Sequence, residues 1–345
     1  MRILIPVIRL SWHGGVRILI DVANRLAASG NDVTFLVSRG RVTTPFRISP
    51  GVRVRHIGIH TPWKSLDYFV FLAALPFFLS SRAFVIANFF VTYFPVRLAS
   101  IVRRTRYLYF VQDIESKYAG AAGALLNRLC DWTYRDQRIV AGNAHLQQRL
   151  QIEFGTTCRS IDIGPDDVFY GPRTVLAKEF DVVFFLRKEP WKGLERFERF
   201  LATANGLFSC LCVSQDDQLV RSFSHPAVTC RKPANDSELV ACLDSARVLL
   251  FTSHHEGFAL PPLEAMARGL PVVLYRCGGP DLYVADGRNA FYVENESDMC
   301  HAVTRLIGDP EIYRQMSAQA SMTAARFRMQ TAASALLGYA QALSD

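Results

Sequence analysis

Eight cysteines are present, yet none forms a C-x-x-C pair and none stands at zinc spacing from a histidine. Several lie in apolar runs such as Phe208-Ser209-Cys210-Leu211-Cys212-Val213, where cysteine acts as a small hydrophobe. A reduced, cytoplasmic compartment is the expectation. Long apolar runs are missing too. The most hydrophobic segment, Tyr68 to Leu79, falls short of the ~20 residues that span a bilayer and contains Pro76. It predicts a buried helix, with docking at a membrane surface as the sharper alternative. Met1 to Val7 is too short an apolar stretch for a leader and reads as a first strand. No basic helix or RNP-like aromatic motif occurs, which excludes the commoner nucleic-acid binders. No D-x-D follows a predicted strand, no G-x-G-x-x-G marks a dinucleotide site, and no repeat or low-complexity tract stands out.

What is present is a large globular chain. At 345 residues it exceeds the size at which one hydrophobic core stops growing, so two domains are the default. Half the residues are hydrophobic and a fifth charged, as expected for extensive buried sheet. The net charge of +8 is unevenly placed: residues 1–165 carry 21 Lys and Arg against 9 Asp and Glu, the remainder 18 against 22. A basic first half suits anionic lipid headgroups or a pyrophosphate-bearing acceptor.

Short β-branched runs alternate with helical patterns. Arg2 to Val7 reads as a strand, Val16 to Ser29 as a helix, and Asp32 to Val37 as the next strand. That is a βαβ unit, and it implies a parallel sheet covered by helices. Val52 to Ile57, Phe84 to Asn88, Tyr107 to Gln112 and Arg138 to Ala141 read as further strands, with a helix between Ala124 and Asp136. Turn formers cluster at 164–174, the expected linker. The rhythm then restarts, with strands at Phe180 to Leu186, Phe208 to Val213, Val248 to Thr252 and Pro271 to Tyr275. From Glu311 one or two terminal helices are expected. The class is α/β: two doubly wound, Rossmann-like domains facing a central cleft. The expected division is 1–165, 166–325, and a C-terminal helix at 326–345 returning to the first domain.

The most informative stretch runs Ser253-His254-His255-Glu256-Gly257-Phe258-Ala259-Leu260-Pro261-Pro262-Leu263-Glu264 and on to Val273. It follows a strand and opens a helix, so the amides of Gly257 to Leu260 stand at a helix N-terminus that favours an anion or a polar sugar. Glu256 in the loop and Glu264 in the first helical turn can accept hydrogen bonds from sugar or ribose hydroxyls. The plainer alternative has Glu264 stabilising the helix start and Glu256 solvated.

E-G-F-A-L-P-P-L-E-A-M-A-x-G-x-P-V-V resembles the E-x7-E signature of glycosyltransferase family 4, retaining enzymes of the GT-B class. The resemblance implies that Glu256 faces a donor sugar, that Glu264 binds the nucleoside ribose, and that the amides of Phe258 and Ala259 meet sugar and phosphate. Phe185-Leu186-Arg187-Lys188-Glu189-Pro190-Trp191-Lys192-Gly193 is similar to the family's G-R-L-x-x-x-K-G loop, which makes Arg187 and Lys192 the clamp on the donor diphosphate. Two cations five apart after a strand can also neutralise charge on a departing diphosphate. Leu186 replaces the usual Gly. Gly278-Gly279-Pro280-Asp281-Leu282 and Asp286-Gly287-Arg288-Asn289-Ala290 resemble two family turns, with Asp281 for the common Glu.

In the first half, Ser11-Trp12-His13-Gly14-Gly15-Val16 resembles the family's glycine loop after the first strand. Gly14 and Gly15 permit close backbone approach to a phosphate or acceptor, and His13 reads as a loop residue. At Phe110-Val111-Gln112-Asp113-Ile114-Glu115 the family more often has His-Asp, its His bonding the sugar's 6-hydroxyl. Gln112 occupies that place and cannot carry a proton as imidazole does. Q-D-x-E is similar to some bacterial rhamnosyltransferases of the family, so a 6-deoxyhexose such as rhamnose is the expected sugar, with mannose or glucose as the other candidates. Altogether the resemblance implies a metal-independent hexosyltransferase with no cofactor. It would use a nucleotide-sugar donor and a glycan or lipid-linked acceptor in polysaccharide biosynthesis. The expected place is the cytoplasm, where the basic first half allows peripheral contact with the inner face of an anionic membrane, and no nucleic-acid partner is expected. The rival readings are a GT-B epimerase or hydrolase, and a non-catalytic sugar-binding subunit.

Overall fold

The computed structural model describes residues 1–11, 13–39, 44, 46–118, 123–172 and 178–344. Trp12 of the glycine loop and 173–174 of the expected linker lie outside them. The chain divides into two compact units, Met1–Ile163 with Met329–Asp345, and Gly164–Arg328.

The first unit holds seven parallel strands: β1 (Arg2–Val7), β2 (Asp32–Ser38), β3 (Val52–Ile57), β4 (Phe84–Asn88), β5 (Arg106–Val111), β6 (Ile139–Ala141) and β7 (Arg159–Ser160). Their order in the sheet is β3-β2-β1-β4-β5-β6-β7. The central strands are apolar on both faces, as parallel strands buried under helices must be. Helix Gly14–Ala28 begins at the glycine pair and buries Leu19, Val22, Ala23 and Leu26. The last helix, Met329–Ala342, packs against it. Helix Phe90–Val102 went unread in the sequence because its aromatic and β-branched residues and Pro95 mimic strand and breaker.

The segment expected as a buried helix requires correction. It is a helix, Lys64–Phe78, but one face only is buried. Phe71 and Leu75 are fully enclosed, while Phe69 and Phe77 are 68% and 75% exposed. The physical reason is that the sheet covers only one side of this helix, so an apolar outer side chain has nothing in the unit to meet. Pro76 is tolerated in the final turn, and the Arg103 guanidinium donates to the carbonyls of Pro76, Phe77 and Leu79 there.

The second unit holds six parallel strands: β8 (Phe180–Phe185), β9 (Cys210–Val213), β10 (Val228–Arg231), β11 (Ala246–Phe251), β12 (Val272–Leu274) and β13 (Ala290–Tyr292). Their order is β10-β9-β8-β11-β12-β13. Phe184 stacks on Phe197 at 4.0 Å between ring centroids, the centre of the core on one face of the sheet. Buried Arg268 pairs with Asp244 at 2.7 Å and donates to the carbonyls of Phe169, Gly171 and Pro172, so every arm of this desolvated cation is met. The expected terminal helices are Pro310–Ala324 and Met329–Ala342.

Candidate functional site

Strands β8 and β11 lie side by side in the second sheet, with Phe184 opposite Leu250, although 60 residues of chain separate them. The strand order reverses at this pair, and loops that leave the carboxyl ends of such strands diverge and open a crevice. The loop after β8 carries Arg187 and Lys192, and the loop after β11 carries Glu256.

The two loops are stitched together. Gly193 adopts φ +68°, and a β-carbon there would lie 2.0 Å from the Thr252 carbonyl oxygen, so only glycine allows this approach. The Thr252 hydroxyl donates to the Gly193 carbonyl at 2.8 Å, and the His254 amide donates to the Trp191 carbonyl at 2.8 Å. This approach places the Lys192 ammonium across the Glu256 carboxylate, 2.8 Å and 3.0 Å from its two oxygens. The Ser253 hydroxyl donates to the same carboxylate at 2.6 Å. Glu256 is therefore not a solvated loop residue: its side chain is 12% exposed against 29% for Lys192. Arg187 is half-buried two residues past β8. Lys188, the other cation of this loop, turns to Asp216 at 3.0 Å.

Beyond Glu256 the chain makes a strained entry into helix Leu260–Ala267. Ala259 is held at φ +64°, a left-handed conformation costly for any residue with a β-carbon. Its carbonyl accepts the buried Tyr283 hydroxyl at 2.7 Å. Gly279 lies so close to Phe258 that a β-carbon would come within 2.6 Å of the Phe258 nitrogen. The Gly278-Gly279 turn thus braces the loop from behind. The Asp286–Ala290 turn braces Tyr283 in its turn, since Asn289 donates to the Tyr283 carbonyl at 2.8 Å. Phe258 packs edge-on to Tyr283, 5.8 Å between centroids. Asp281 is held by the Tyr292 hydroxyl and lies 3.5 Å from Arg276.

Glu264 requires a positional correction. The helix begins at Leu260, so Glu264 stands in its second turn rather than its first, and it is 2% exposed. The Pro261-Pro262 pair lets the helix start before Pro262, because prolines are tolerated in a first turn whose N–H groups lack helical partners anyway.

In the first unit, Gly15 after β1 and Gln112 after β5 are brought together. The Gln112 amide donates to the Gly15 carbonyl at 3.2 Å, and a β-carbon at Gly15 would sit 3.2 Å from Gln112 Oε1. Gly14 opens onto free space, and His13 Nδ1 lies 2.9 Å from the Ser11 hydroxyl. Asp113 Oδ1 caps the Ile114 amide at 2.8 Å, 3.9 Å from Arg149. Glu115 accepts the Phe90 amide at the start of helix Phe90–Val102 at 2.9 Å. Burial pushes its carboxyl up to about 8, with Asp113 adding to the rise and the Phe90 amide opposing it.

Sequence reasoning missed Ser253, Thr252 and Tyr283. A hydroxyl residue at a strand end three or four positions before a loop carboxylate is the signal that could have found the first two. Nothing local points to Tyr283.

Residues 227–322 match the family model described as glycosyl transferases group 1. The chain is similar to the D-inositol 3-phosphate glycosyltransferase of Streptomyces bingchenggensis, 34% identical over 116 residues, which is 33% of this chain and 26% of that protein. The corresponding protein of Arthrobacter sp. is 36% identical over 121 residues, 34% of this chain and 29% of its own. The match thus spans about a quarter of the length of these curated relatives. Among solved structures, sucrose-phosphate synthase from Thermosynechococcus elongatus superposes with a TM-score of 0.81 at 16% identity, over 99% of both chains. Anabaena HepE in complex with UDP-glucose gives 0.75 at 17% identity, over 100% of this chain and 99% of its own. Two parallel-sheet, Rossmann-like units of this kind are the GT-B glycosyltransferase fold. Residues 227–322, within the second unit, thus resemble the glycosyl transferases group 1.

Proposed function

We propose that the protein is a retaining hexosyltransferase that uses a nucleotide-diphosphate sugar and needs no metal. The observation that carries this reading is the Lys192–Glu256 pair, held at 2.8 Å where the loops after β8 and β11 are stitched together. Lys192 and Arg187 would meet the donor's diphosphate and Glu256 its sugar. Glu264 would take the ribose, and the backbone from Gly257 to Leu260 would lie along the phosphates. HepE, whose structure contains UDP-glucose, shares this fold.

In the reaction, the bond from the sugar's anomeric carbon to the diphosphate breaks and a bond to the acceptor oxygen forms on the same face. The acceptor's proton passes to the departing phosphate oxygen. Charge grows on the leaving diphosphate, and two cations fixed in advance stabilise it without reorganising at the moment of reaction. The acceptor is a glycan or a lipid-linked sugar, and the basic first unit suits an anionic acceptor or surface.

Gln112 is the side chain proposed to meet C6 of the sugar, which favours a 6-deoxyhexose. Turnover with dTDP-rhamnose, GDP-mannose and UDP-glucose, compared side by side, tests this; preference for a sugar bearing a 6-hydroxyl would overturn it. Incubation with donor alone tests the transferase reading itself. Isomerised or rapidly hydrolysed donor without an acceptor would point instead to an epimerase or hydrolase.

A further inference from the structure

The outward face of helix Lys64–Phe78 repeats apolar residues at helical spacing: Leu66, Phe69, Ala73 and Phe77 all face solvent. Trp63, just before the helix, is 71% exposed. This helix packs on helix Phe90–Val102, which exposes Leu98, Ile101 and Val102, and that helix packs in turn on helix Ala124–Thr133. The last exposes Leu125, Leu129 and Trp132, with Trp132 stacked 6.0 Å from Phe94. Three neighbouring helices therefore present large apolar groups to water, beyond what a monomer surface usually tolerates.

The charge around these groups identifies what covers them. Among the described residues of 64–104 and 124–138, the exposed charged side chains are Arg82, Arg103, Arg104, Arg128, Arg135 and Arg138. No exposed carboxylate accompanies them: Asp67 is buried and takes the Thr61 hydroxyl at 2.8 Å, and Asp131 and Asp136 are half-buried. A second copy docked by the same face would bury several guanidinium groups with no carboxylate opposite them, and a protein partner would have to pair each guanidinium with a carboxylate of its own while also covering three apolar helices. A lipid surface offers both parts at once, anionic headgroups for arginine and acyl chains for phenylalanine, leucine and tryptophan. Arginine also keeps its head at the phosphate level while its stem lies along apolar surface. We propose that this three-helix face docks the protein peripherally on an anionic bilayer. The inference stands apart from sugar transfer, because binding is measured without turnover.

The test is flotation of the full chain with vesicles of phosphatidylglycerol mixed into phosphatidylcholine, and with phosphatidylcholine alone. The expected result is partition onto the mixed vesicles at least about tenfold above the neutral ones, falling as salt rises. Phe69→Asp with Phe77→Asp should lose it by about tenfold or more, and Arg104→Glu with Arg128→Glu should lower it by at least about fivefold. Neither pair touches the residues assigned to donor chemistry, so turnover on a water-soluble acceptor should be unchanged. A readout on the unaltered chain removes dependence on variant folding: tryptophan emission should shift to the blue on mixed vesicles and be quenched by lipid brominated in its acyl chains. This response should disappear in Trp63→Phe with Trp132→Phe. Absence of flotation, or flotation without quenching, overturns the proposal. So does an oligomer in solution that the Phe69/Phe77 pair breaks while vesicle binding is nil, which would assign the face to a second copy.

Discussion

The two units share a parallel, helix-covered sheet but treat the ends of their strands differently. In the second unit the loops after β8 and β11 are fastened to each other by Gly193, Thr252, Trp191 and His254, and fastening them fixes a cation on a carboxylate. In the first unit the loops after β1 and β5 meet through a 3.2 Å hydrogen bond from Gln112 to Gly15, and Gly14 beside it opens onto free space. The family match falls on 227–322, within the second unit. On the proposed reading, groups that act on a constant ligand, a nucleotide diphosphate, need fixed geometry, and a surface that meets varied acceptors does not. The difference is the one that reading calls for, chemistry in the second unit and specificity in the first, and it can be broken at either.

The largest expected effect is at the cation. Lys192→Ala should lower kcat by about 100-fold or more, the usual consequence of removing one partner of a developing charge. Arg187→Ala should do likewise. Glu264→Gln, altering a group proposed to hold ribose in ground and transition state alike, should instead raise the donor KM with little change in kcat. Steady-state kinetics across donor concentrations separates the two patterns. A Lys192→Ala enzyme of near-normal kcat would end the proposed role of the pair.

Next in size is a paired glycine substitution that sets one unit directly against the other. A β-carbon at Gly193 would lie 2.0 Å from the Thr252 carbonyl oxygen, on a residue at φ +68°, whereas at Gly14 it would meet nothing within 4 Å. Gly193→Ala should therefore cost about 1–3 kcal/mol in stability and part the two loops, with loss of activity. Gly14→Ala should leave stability within about 0.5 kcal/mol. Urea unfolding of both variants checks the contrast, and an unperturbed Gly193→Ala would show that the loops are not tightly joined.

Much of this was legible in residue order, for reasons that differ by region. The strands of the second unit announced themselves as continuous apolar runs, and the stretch from Glu256 to Glu264 carried its own loop-to-helix grammar. Two features were not legible. Helix Phe90–Val102 reads locally as strand, and only packing between its neighbours and β4–β5 overrides that preference. The helix of Lys64–Phe78 is apolar on both faces, and sequence cannot say which face the fold leaves bare. The bracing of Ala259 by Tyr283 was equally hidden, because it joins residues 24 apart through a turn whose own signal was only glycine.

The smallest expected effect concerns the first unit alone, at the carboxyl of Glu115. Burial raises it to about 8 from an unfolded value near 4.5, while its oxygen accepts the Phe90 amide. Between those two values the folded chain keeps a proton that the unfolded chain has released, so the unfolded state binds fewer protons and stability falls as pH rises. The contribution is fully present below about 4.5 and is lost as pH climbs through about 8. Glu115→Gln keeps an oxygen for the Phe90 amide but cannot ionise. The variant's Tm should therefore decline less than the wild type's between pH 5 and pH 9, the two curves diverging as pH rises from about 4.5 to about 8 and keeping a constant separation above that. Calorimetry at matched ionic strength reads this slope. Parallel curves would mean that Glu115 is ionised in the folded chain, and that the first unit holds a negative charge at the start of helix Phe90–Val102 rather than a neutral acid.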